Sequence, residues 1–309
     1  MGYSLDYLRI SVTDRCNLRC FYCMPPEGTT LFPFSDILRY EEIVEIVKLL
    51  LPRGIRYLRI TGGEPLIRRD IHLLLDKLRN LKGIQEINLT TNGLLLEEKV
   101  SQLKEAGVKK VNVSLDTLNR ETYARITRGG KLERVIQGIK KTKEEGLEVK
   151  INTVLLKGIN QDEIEEIFLF ARTHSLTLRF IELMETREGL GKYFYPVQEV
   201  KERLFRLSSP RFIGKEGKGP ATYYLLDGIK VGFIERDNEK CKSCGKLRLN
   251  SRGELFLCLY QDEGIPLGKF LREKRWEELE KCLEEVWERK KNLSGPYPVR
   301  EIQPSRIGG

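Results

Sequence analysis

The sequence has no long apolar run and very little histidine. None of its apolar stretches approaches the roughly 20 residues that a helix needs to cross a bilayer. Its start, MGYSLDYLRIS, lacks the basic and apolar regions of a secretory signal. We therefore expect a cytoplasmic protein without a membrane partner. The two histidines, His72 and His174, fall in predicted helices away from the cysteines, so neither is expected to be a ligand or an acid–base group.

The charged residues form no long basic block. There are 54 Lys+Arg and 45 Asp+Glu, which gives a net charge of +9, and both signs are interspersed along the 309 residues. A nucleic-acid partner usually calls for a concentrated basic face, whereas scattered positive charge also suits a small phosphorylated substrate. The charge pattern therefore predicts no nucleic-acid partner and favours a small anion.

Cysteine is present in an odd number, seven, which is more typical of metal ligands and spare thiols than of disulfides. Cys16, Cys20 and Cys23 have the spacing C-x3-C-x2-C. Three such thiolates can each hold one iron of a four-iron cluster, and the missing fourth cysteine leaves one iron open for a small molecule. Zinc with a distant fourth ligand, or plain loop thiols, is the alternative, although structural zinc motifs usually repeat C-x2-C pairs.

Strand and helix patterns alternate along the first 184 residues. Alternation of this kind is typical of parallel strands with helices outside. Six strands are too few for a closed barrel of eight units, so we predict an α/β fold, an open, partial (βα)6 barrel of TIM type over residues 1–186. Strands are predicted at residues 7–12, 55–61, 85–90, 109–115, 148–156 and 177–184, and helices at residues 40–51, 70–81, 95–106, 120–126, 132–145 and 161–173.

Beyond residue 186 the pattern changes to a C-terminal α+β extension over residues 187–309. Cys241, Cys244 and Cys258 stand at C-x2-C-x13-C across its hairpin, so three cysteines without a fourth occur again and predict a second iron–sulfur cluster, with zinc as the alternative. Cys282 lies at the edge of an apolar helix stripe, where partial burial is commoner than ligation. The extension is predicted to contain a helix at 197–207, a glycine-rich link at 214–220, strands at 222–226 and 230–234, a hairpin at 246–250 and 254–259, and a helix at 276–289.

Segments along essentially the whole chain resemble the GTP 3′,8-cyclase family of the radical S-adenosylmethionine enzymes. The Gly62-Gly63-Glu64-Pro65 segment, one βα unit after the first cysteine triad, and the final Gly308-Gly309 also fit that family. The matching segments are LRISVTDRCNLRCFYCMP, LRITGGEPLIRRD, LTTNGLLL, NVSLDTL, KINTVLLKGIN and RFIELM.

The resemblance implies a lyase that begins molybdenum cofactor biosynthesis. It would use two 4Fe-4S clusters and S-adenosylmethionine to convert GTP to (8S)-3′,8-cyclo-7,8-dihydroguanosine 5′-triphosphate. The implied partners are a reductant of the flavodoxin or ferredoxin type, a downstream cyclic pyranopterin monophosphate synthase and a second copy in a homodimer. The Gly-Gly tail would reach into the active site.

The resemblance also implies the site residues. Cys16, Cys20 and Cys23 would hold the catalytic cluster, and Cys241, Cys244 and Cys258 the second. The cofactor would contact Tyr22, Gly63, Thr90, Ser114, Lys150 and Met184, with Glu64 at its amino group. The triphosphate would contact Arg9, Arg59, Lys150, Arg179, Lys246 and the catalytic Arg248. Guanidinium groups match phosphate oxygens in pairs, and an anionic ligand would offset the cost of burying arginines inside the barrel.

Two positions depart from the family pattern. Lys246 stands where the family usually has arginine, and Tyr57 where it often has lysine.

Two other functions are alternatives to the cyclase. Another radical S-adenosylmethionine enzyme with an auxiliary cluster, such as a peptide-modifying one, usually has more downstream cysteines. A non-catalytic metal-binding or nucleic-acid-binding protein would need an aromatic and basic surface that is not evident.

Overall fold

The structure is a computed structural model that describes residues 5–236, 244–261 and 263–292. Its strands are β1 (Tyr7–Ser11), β2 (Tyr57–Thr61), β3 (Glu86–Thr91), β4 (Lys110–Ser114), β5 (Glu148–Leu155), β6 (Thr177–Glu182), β7 (Arg211–Lys215), β8 (Thr222–Leu226), β9 (Ile229–Ile234), β10 (Lys246–Leu249), β11 (Glu254–Phe256) and β12 (Ile265–Pro266). Its helices are α1 (Tyr40–Leu50), α2 (Ile71–Arg79), α3 (Leu96–Glu105), α4 (Arg120–Thr127), α5 (Leu132–Glu144), α6 (Ile164–Thr173), α7 (Val197–Leu207), α8 (Leu267–Arg272) and α9 (Trp276–Lys291).

The predicted alternation of strands and helices is confirmed. Strands β1 to β6 pair in parallel and in chain order, and a helix follows each of the first five. The sheet does not close, since its strand order runs from β12 at one edge to β7 at the other. The open, partial barrel predicted from the sequence is therefore correct.

The C-terminal strands continue this sheet at both of its edges. Strand β10 pairs in parallel with β1, and β9 pairs in parallel with β6, so eight neighbouring strands are parallel. The antiparallel strands β11 and β12 lie beyond β10, and β8 and β7 lie beyond β9. The C-terminal residues therefore enlarge the concave face of the barrel.

The sequence pattern does not predict the strands β7 and β12 or the helix α8. The last two residues of β7 overlap the predicted glycine-rich link at residues 214–220. Phe212 on β7 is exposed, and β12 has two residues, so neither strand has the buried alternation by which a strand is recognised.

Alternation along the barrel strands separates an apolar outer face from a polar inner face. Leu8, Ile10, Leu58 and Ile60 are fully buried against the outer helices, in one cluster with the apolar face of α1. Each such side chain contributes roughly 1.5–3 kcal/mol by its burial. The intervening Arg9 and Arg59 face the concave side, because successive side chains on a strand point to opposite faces. The core thus forces the arginines inward.

A search of the described helices for apolar stretches that could cross a bilayer finds none.

Candidate active site

The concave side of the sheet holds a cavity of about 400 Å³. It begins at the loop that follows β1 and is bounded by inward side chains of the parallel strands. We refer to the edge where β1 to β6 finish as the carboxyl end and to the opposite edge as the amino end. The predicted site residues that line it are Arg9, Cys16, Cys20, Tyr22, Cys23, Arg59, Gly63, Thr90, Ser114, Arg179, Met184, Lys246 and Arg248.

The first cysteine triad lies at the carboxyl end, in the loop after β1. The amide groups of Cys23 and Met24 donate to the carbonyl of Cys20 at 2.9 and 3.1 Å, which folds the loop into a turn. Burial raises the pKa of the Cys16 thiol to about 11 and also raises that of Cys20. Such thiols stay protonated at neutral pH unless a metal takes up the charge, so their chemistry fits iron ligation.

The thiols of the first triad lie close enough to affect one another. Burial raises the pKa of the Cys20 thiol, and the neighbouring Cys23 and Cys16 raise it further. A four-iron cluster takes one thiolate on each of three irons, so three neighbouring thiols fit the predicted iron–sulfur site.

The packing of the protein backbone requires a glycine at position 63. A Cβ atom at this position would lie 2.2 Å from the carbonyl oxygen of Arg15, and the Gly63 amide donates to the carbonyl of Thr13 at 2.8 Å. The resemblance implies a cofactor contact at Gly63, and close approach of a cofactor would be one reason for a glycine here. The structure shows that this glycine lets the segment after β2 pack against the base of the cysteine loop, while Gly63 still lines the cavity.

Glu64 is buried and engaged by protein donors. Its carboxylate accepts from the amides of Leu66 and Asn92 at 2.9 and 2.7 Å and from the hydroxyl of Thr91 at 2.8 Å. Burial raises its pKa to about 7, although these hydrogen bonds oppose the shift. Glu64 therefore ties together the loops that follow β2 and β3, a role that the sequence did not indicate.

Tyr22 contacts the cavity with its ring. Its hydroxyl donates to the Asp116 carboxylate at 2.7 Å, and the other oxygen of Asp116 accepts from the amide of Val154 at 2.8 Å. Burial raises the pKa of Asp116 to about 6. Because the hydroxyl is taken up by Asp116, what Tyr22 offers a ligand is its ring.

The middle of the cavity is a layer of arginines. Arg248 on β10, Arg9 on β1 and Arg59 on β2 stand in register on three neighbouring strands. Burial lowers the pKa of Arg9, and repulsion by Arg248 and Arg59 lowers it further. Such crowding of like charges is costly unless an anion shares the site.

Arg179 adds a fourth guanidinium from β6. It is buried, one of its terminal nitrogens donates to Asn112, and its Nε has no hydrogen-bond partner within the described residues. Gly232 on β9 makes room for it, since a Cβ there would lie 3.1 Å from Cγ of Arg179 and 2.7 Å from the Tyr223 ring. The unsatisfied donor is suited to an anionic ligand.

The described lining of the cavity contains few acidic residues. Among the residues that line the cavity in the described ranges, only Glu64 and Glu182 are acidic. Glu182 accepts from the amides of Val197 and Arg236 at 3.0 and 2.6 Å, so its carboxylate is engaged by backbone donors. The cationic residues of the described lining outnumber these two acids, and they are Arg9, Arg59, Arg179, Lys218, Lys246 and Arg248.

The second cysteine group lies toward the amino end. Cys244 directly precedes β10, which runs parallel to β1, and Cys258 directly follows the antiparallel β11. A strand of five residues spans on the order of 15 Å, which is the separation expected between the two cysteine groups. Arg248 on β10 is close enough to Cys244 and Cys258 for both thiols to affect it electrostatically. Cys241 lies outside the described residues.

The surroundings of Cys244 are basic. Burial opposes ionisation of its thiol, but nearby Lys290 and Lys246 outweigh burial and lower its pKa. Lys290 is itself buried, and its ammonium group donates to the carbonyl of Leu257. Anionic thiolates, the form that binds iron, are favoured here.

Cys282 does not line the cavity, and its pKa is raised, first by burial and then by neighbouring glutamates.

Two lysines differ from expectation in their placement. Lys150 lines a smaller cavity of about 130 Å³ at the amino end, and its ammonium group pairs with Glu148 at 3.1 Å. Lys218, which the sequence did not single out, lines both cavities from the loop between β7 and β8. A Gly-Lys-Gly sequence was its only signal.

Two family models match this chain. The model described as Radical SAM superfamily matches residues 10–171. The model described as Molybdenum Cofactor Synthesis C matches residues 176–294.

Curated relatives are similar over most of their length. A GTP 3′,8-cyclase of Thermodesulfovibrio yellowstonii is 43% identical over 277 residues, covering 87% of this chain and 86% of the relative. One of Peptoclostridium acidaminophilum is 46% identical, covering 88% and 85%. One of Petrotoga mobilis is 43% identical, covering 91% of each.

Solved structures share the fold at low identity. Streptococcus suis SuiB bound to S-adenosylmethionine matches with a TM-score of 0.61 at 20% identity, covering 84% of this chain and 61% of SuiB. Native anSMEcpe with bound AdoMet matches with a TM-score of 0.53 at 21% identity, covering 65% of this chain and 59% of that one. This chain thus spans about three fifths of each solved chain.

Proposed function

The chain belongs to the radical SAM superfamily and, within it, to the GTP 3′,8-cyclase family, and on that premise we propose that it converts GTP to (8S)-3′,8-cyclo-7,8-dihydroguanosine 5′-triphosphate. This reaction is the first step of molybdenum cofactor biosynthesis. The enzyme is accordingly a lyase that uses S-adenosylmethionine and iron–sulfur clusters.

One observation carries this proposal. A cavity that begins at Cys16, Cys20 and Cys23 extends to Lys246, two residues after Cys244, with Arg9, Arg59 and Arg248 in one layer across it. A nucleoside triphosphate carries about four negative charges at neutral pH, enough to interact with all three guanidinium groups. The same layer would repel a small cation.

At the carboxyl end, Cys16, Cys20 and Cys23 would hold the first cluster. Tyr22, Gly63, Thr90, Ser114 and Met184 line the adjoining cavity and would orient S-adenosylmethionine there. When bound, the cluster and S-adenosylmethionine supply a 5′-deoxyadenosyl radical that removes the 3′ hydrogen of GTP. The buried walls around this end exclude water that would otherwise intercept reactive species.

At the middle and the amino end, the chain would hold the nucleotide. Arg9, Arg59, Arg179 and Arg248 would bind the triphosphate in pairs of hydrogen bonds, and Lys246 would add a point charge. Burial and neighbouring arginines lower the pKa of Lys246 to about 8, so it is still mostly charged at pH 7. Cys241, Cys244 and Cys258 would hold a second 4Fe-4S cluster, which would supply a coordination site for the purine.

Lys150 is proposed to act from the amino end. Its ammonium group lies in the small cavity that shares Arg59 and Arg179 with the large one. It could therefore contact a phosphate directly; contact with the cofactor, also predicted from the resemblance, would need the side chain to leave Glu148. Gly308 and Gly309, proposed to reach the active site, lie outside the described residues.

The proposed partners follow from the reaction. A flavodoxin or ferredoxin would supply electrons, and a cyclic pyranopterin monophosphate synthase would take the product onward. We propose that the enzyme works in the cytoplasm, without nucleic acid or membrane, and that it forms a homodimer.

The decisive experiment is anaerobic incubation with a reductant, S-adenosylmethionine and each nucleoside triphosphate in turn. 5′-Deoxyadenosine and nucleotide loss are followed together. GTP alone should be consumed, in equal amount to the 5′-deoxyadenosine formed. Cleavage of S-adenosylmethionine without loss of GTP, or equal loss of another nucleotide, would contradict the proposal.

A further inference from the structure

The large and small cavities adjoin each other. Both are lined by Tyr7, Arg59, Arg179, Lys218 and Gly219. The large cavity begins at the cysteine loop, and the small one lies beyond the arginine layer at the amino end of the strands. A ligand that extends beyond the arginine layer would meet these shared residues.

The layer below the arginines has fewer cations on its strands. Lys246, Tyr7 and Tyr57 stand in register there, and each lies two residues before the arginine of its strand. Tyr57 contributes no charge. Lys218 supplies a positive charge at this position from outside the barrel strands, because its ammonium nitrogen lies 5.0 Å from the centre of the Tyr57 ring. This distance is suited to a cation–π interaction, which positions the ammonium group.

The other lysines of the small cavity are matched by glutamates. Lys110 pairs with Glu86 at 2.9 Å, and Lys150 with Glu148 at 3.1 Å. Lys110 and Glu86 are the first residues of the neighbouring strands β4 and β3, and Lys150 and Glu148 both lie on β5. The sheet therefore holds both partners of each pair.

Lys218 is held differently. It pairs with Asp6 at 2.5 Å, but its side chain is 37% exposed and is carried by the loop between β7 and β8. An exposed ion pair of this kind contributes little and can exchange its partner. Asp6 lies just before β1, at the amino end of the strands, with its side chain 14% exposed.

We propose that Lys218 is a further nucleotide-binding residue, which exchanges Asp6 for the terminal phosphate of the substrate and so selects a triphosphate over shorter nucleotides. The arginine layer binds the inner phosphates, and Lys218 reads the length of the chain. The loop between β7 and β8 thereby covers the amino end of the cavity when the nucleotide is bound. This inference rests on the proposed function, because it requires a nucleotide in the cavity.

The test measures binding of GTP and GDP to the anaerobically reconstituted enzyme by calorimetry, with S-adenosylmethionine present. Lys218→Ala should weaken GTP binding about tenfold, the loss typical of one charged hydrogen bond, and GDP binding by less than about twofold. Lys218→Arg should retain most of the affinity for GTP. Asp6→Asn, which removes the competing carboxylate, should strengthen GTP binding about twofold or leave it unchanged.

Lys215→Ala is the matched control. Lys215 is an exposed lysine of β7, three residues before Lys218, and it lines neither cavity. Its replacement should change neither affinity. Equal weakening of GTP and GDP by Lys218→Ala, or equal effects of Lys218→Ala and Lys215→Ala on GTP, would overturn the inference.

The two proposals fail in distinguishable ways. If the unaltered enzyme binds no GTP, the proposed function fails. If the unaltered enzyme binds GTP and Lys218→Ala binds it equally well, the role of Lys218 alone is wrong.

Discussion

The two ends of the cavity differ in the charges that surround their cysteines. Around the first cysteine triad lie the buried carboxyl groups of Glu64 and Asp116, and the pKa of Cys16 is raised, by burial, to about 11. Around Cys244 lie Lys246 and Lys290, and its pKa is lowered despite burial. Burial acts alike on both groups of thiols, so the neighbouring charges make the difference.

This polarity matches the two proposed ligands. S-adenosylmethionine carries a sulfonium and an ammonium group, and GTP carries a triphosphate. Opposite charges attract strongly where water is excluded, so each ligand is favoured at one end and disfavoured at the other. One open cavity can thereby hold two ligands in a defined order. The predictions below test whether the two ends are independent.

The largest effect is expected at the carboxyl end. Cys16→Ala removes one of three thiolates from the first cluster, and formation of 5′-deoxyadenosine should fall by at least about 1,000-fold. Iron content should fall from about eight to about four per chain. GTP binding at the other end should persist, as measured by calorimetry. Loss of GTP binding together with the cluster would show that the two ends form one unit.

The second-largest effect is expected for Glu64, the buried carboxylic acid at the carboxyl end. Burial raises the pKa of Glu64 from 4.5 to about 7, so the folded protein binds more protons than the unfolded chain between these values. The contribution of Glu64 to the free energy of unfolding is therefore fully present below about pH 4.5 and is lost as the pH rises to about 7. The expected loss is on the order of 3 kcal/mol.

Urea unfolding of the unaltered protein and of Glu64→Gln, each measured from pH 4.5 to 7.5, tests this expectation. Glutamine retains an acceptor and does not ionise, so the variant should show a flatter pH dependence. Parallel curves for the two proteins would mean that Glu64 does not titrate in this range.

A smaller effect is expected in the arginine layer. Arg248→Ala removes one guanidinium from the arginine layer and should weaken GTP binding about 10- to 100-fold, with S-adenosylmethionine binding changed by less than about threefold. The affinity of Arg248→Lys for GTP should lie between those of the unaltered enzyme and Arg248→Ala, because lysine keeps the charge and loses the paired geometry. Equal weakening of both ligands would break the proposed division between the ends.

The smallest effect is expected for Tyr22. Tyr22→Phe removes the hydroxyl that donates to Asp116 and should lower the free energy of unfolding by about 1–2 kcal/mol. Binding of S-adenosylmethionine should change by less than about twofold, because the ring that lines the cavity remains. A loss of cofactor affinity larger than the loss of stability would show that the hydroxyl itself contacts the ligand.

The carboxyl end was the easier of the two to predict from the sequence. Cys16, Cys20, Cys23 and Tyr22 lie within eight consecutive residues, so their chemistry is a local pattern. The rest of the proposed site is built from the arginine layer of Arg9, Arg59 and Arg248, which belong to strands far apart in the chain, and from Lys290 on the last helix at the amino end. Their proximity depends on the pairing of β10 with β1, which no local pattern indicates.

Gly63 and Lys218 show where sequence reasoning reached its limit. Both residues were visible, but Gly63 was attributed to a ligand and Lys218 to a flexible link. The reasons for them are the carbonyl of Arg15 and the ring of Tyr57, which lie 48 and 161 residues away along the chain. Contacts over such separations are set by packing.

The amino-acid sequence by itself determined the strands and helices of the barrel, the inward direction of its arginines and the spacing of its cysteines. These properties follow from side-chain period and local chemistry, which act over a few residues. Only the tertiary structure decided which strands neighbour one another, how the arginines align and which charges surround the cysteines at each end of the cavity. Those properties are sums over residues from distant parts of the chain, and they arise only when the sheet has assembled and water has been excluded.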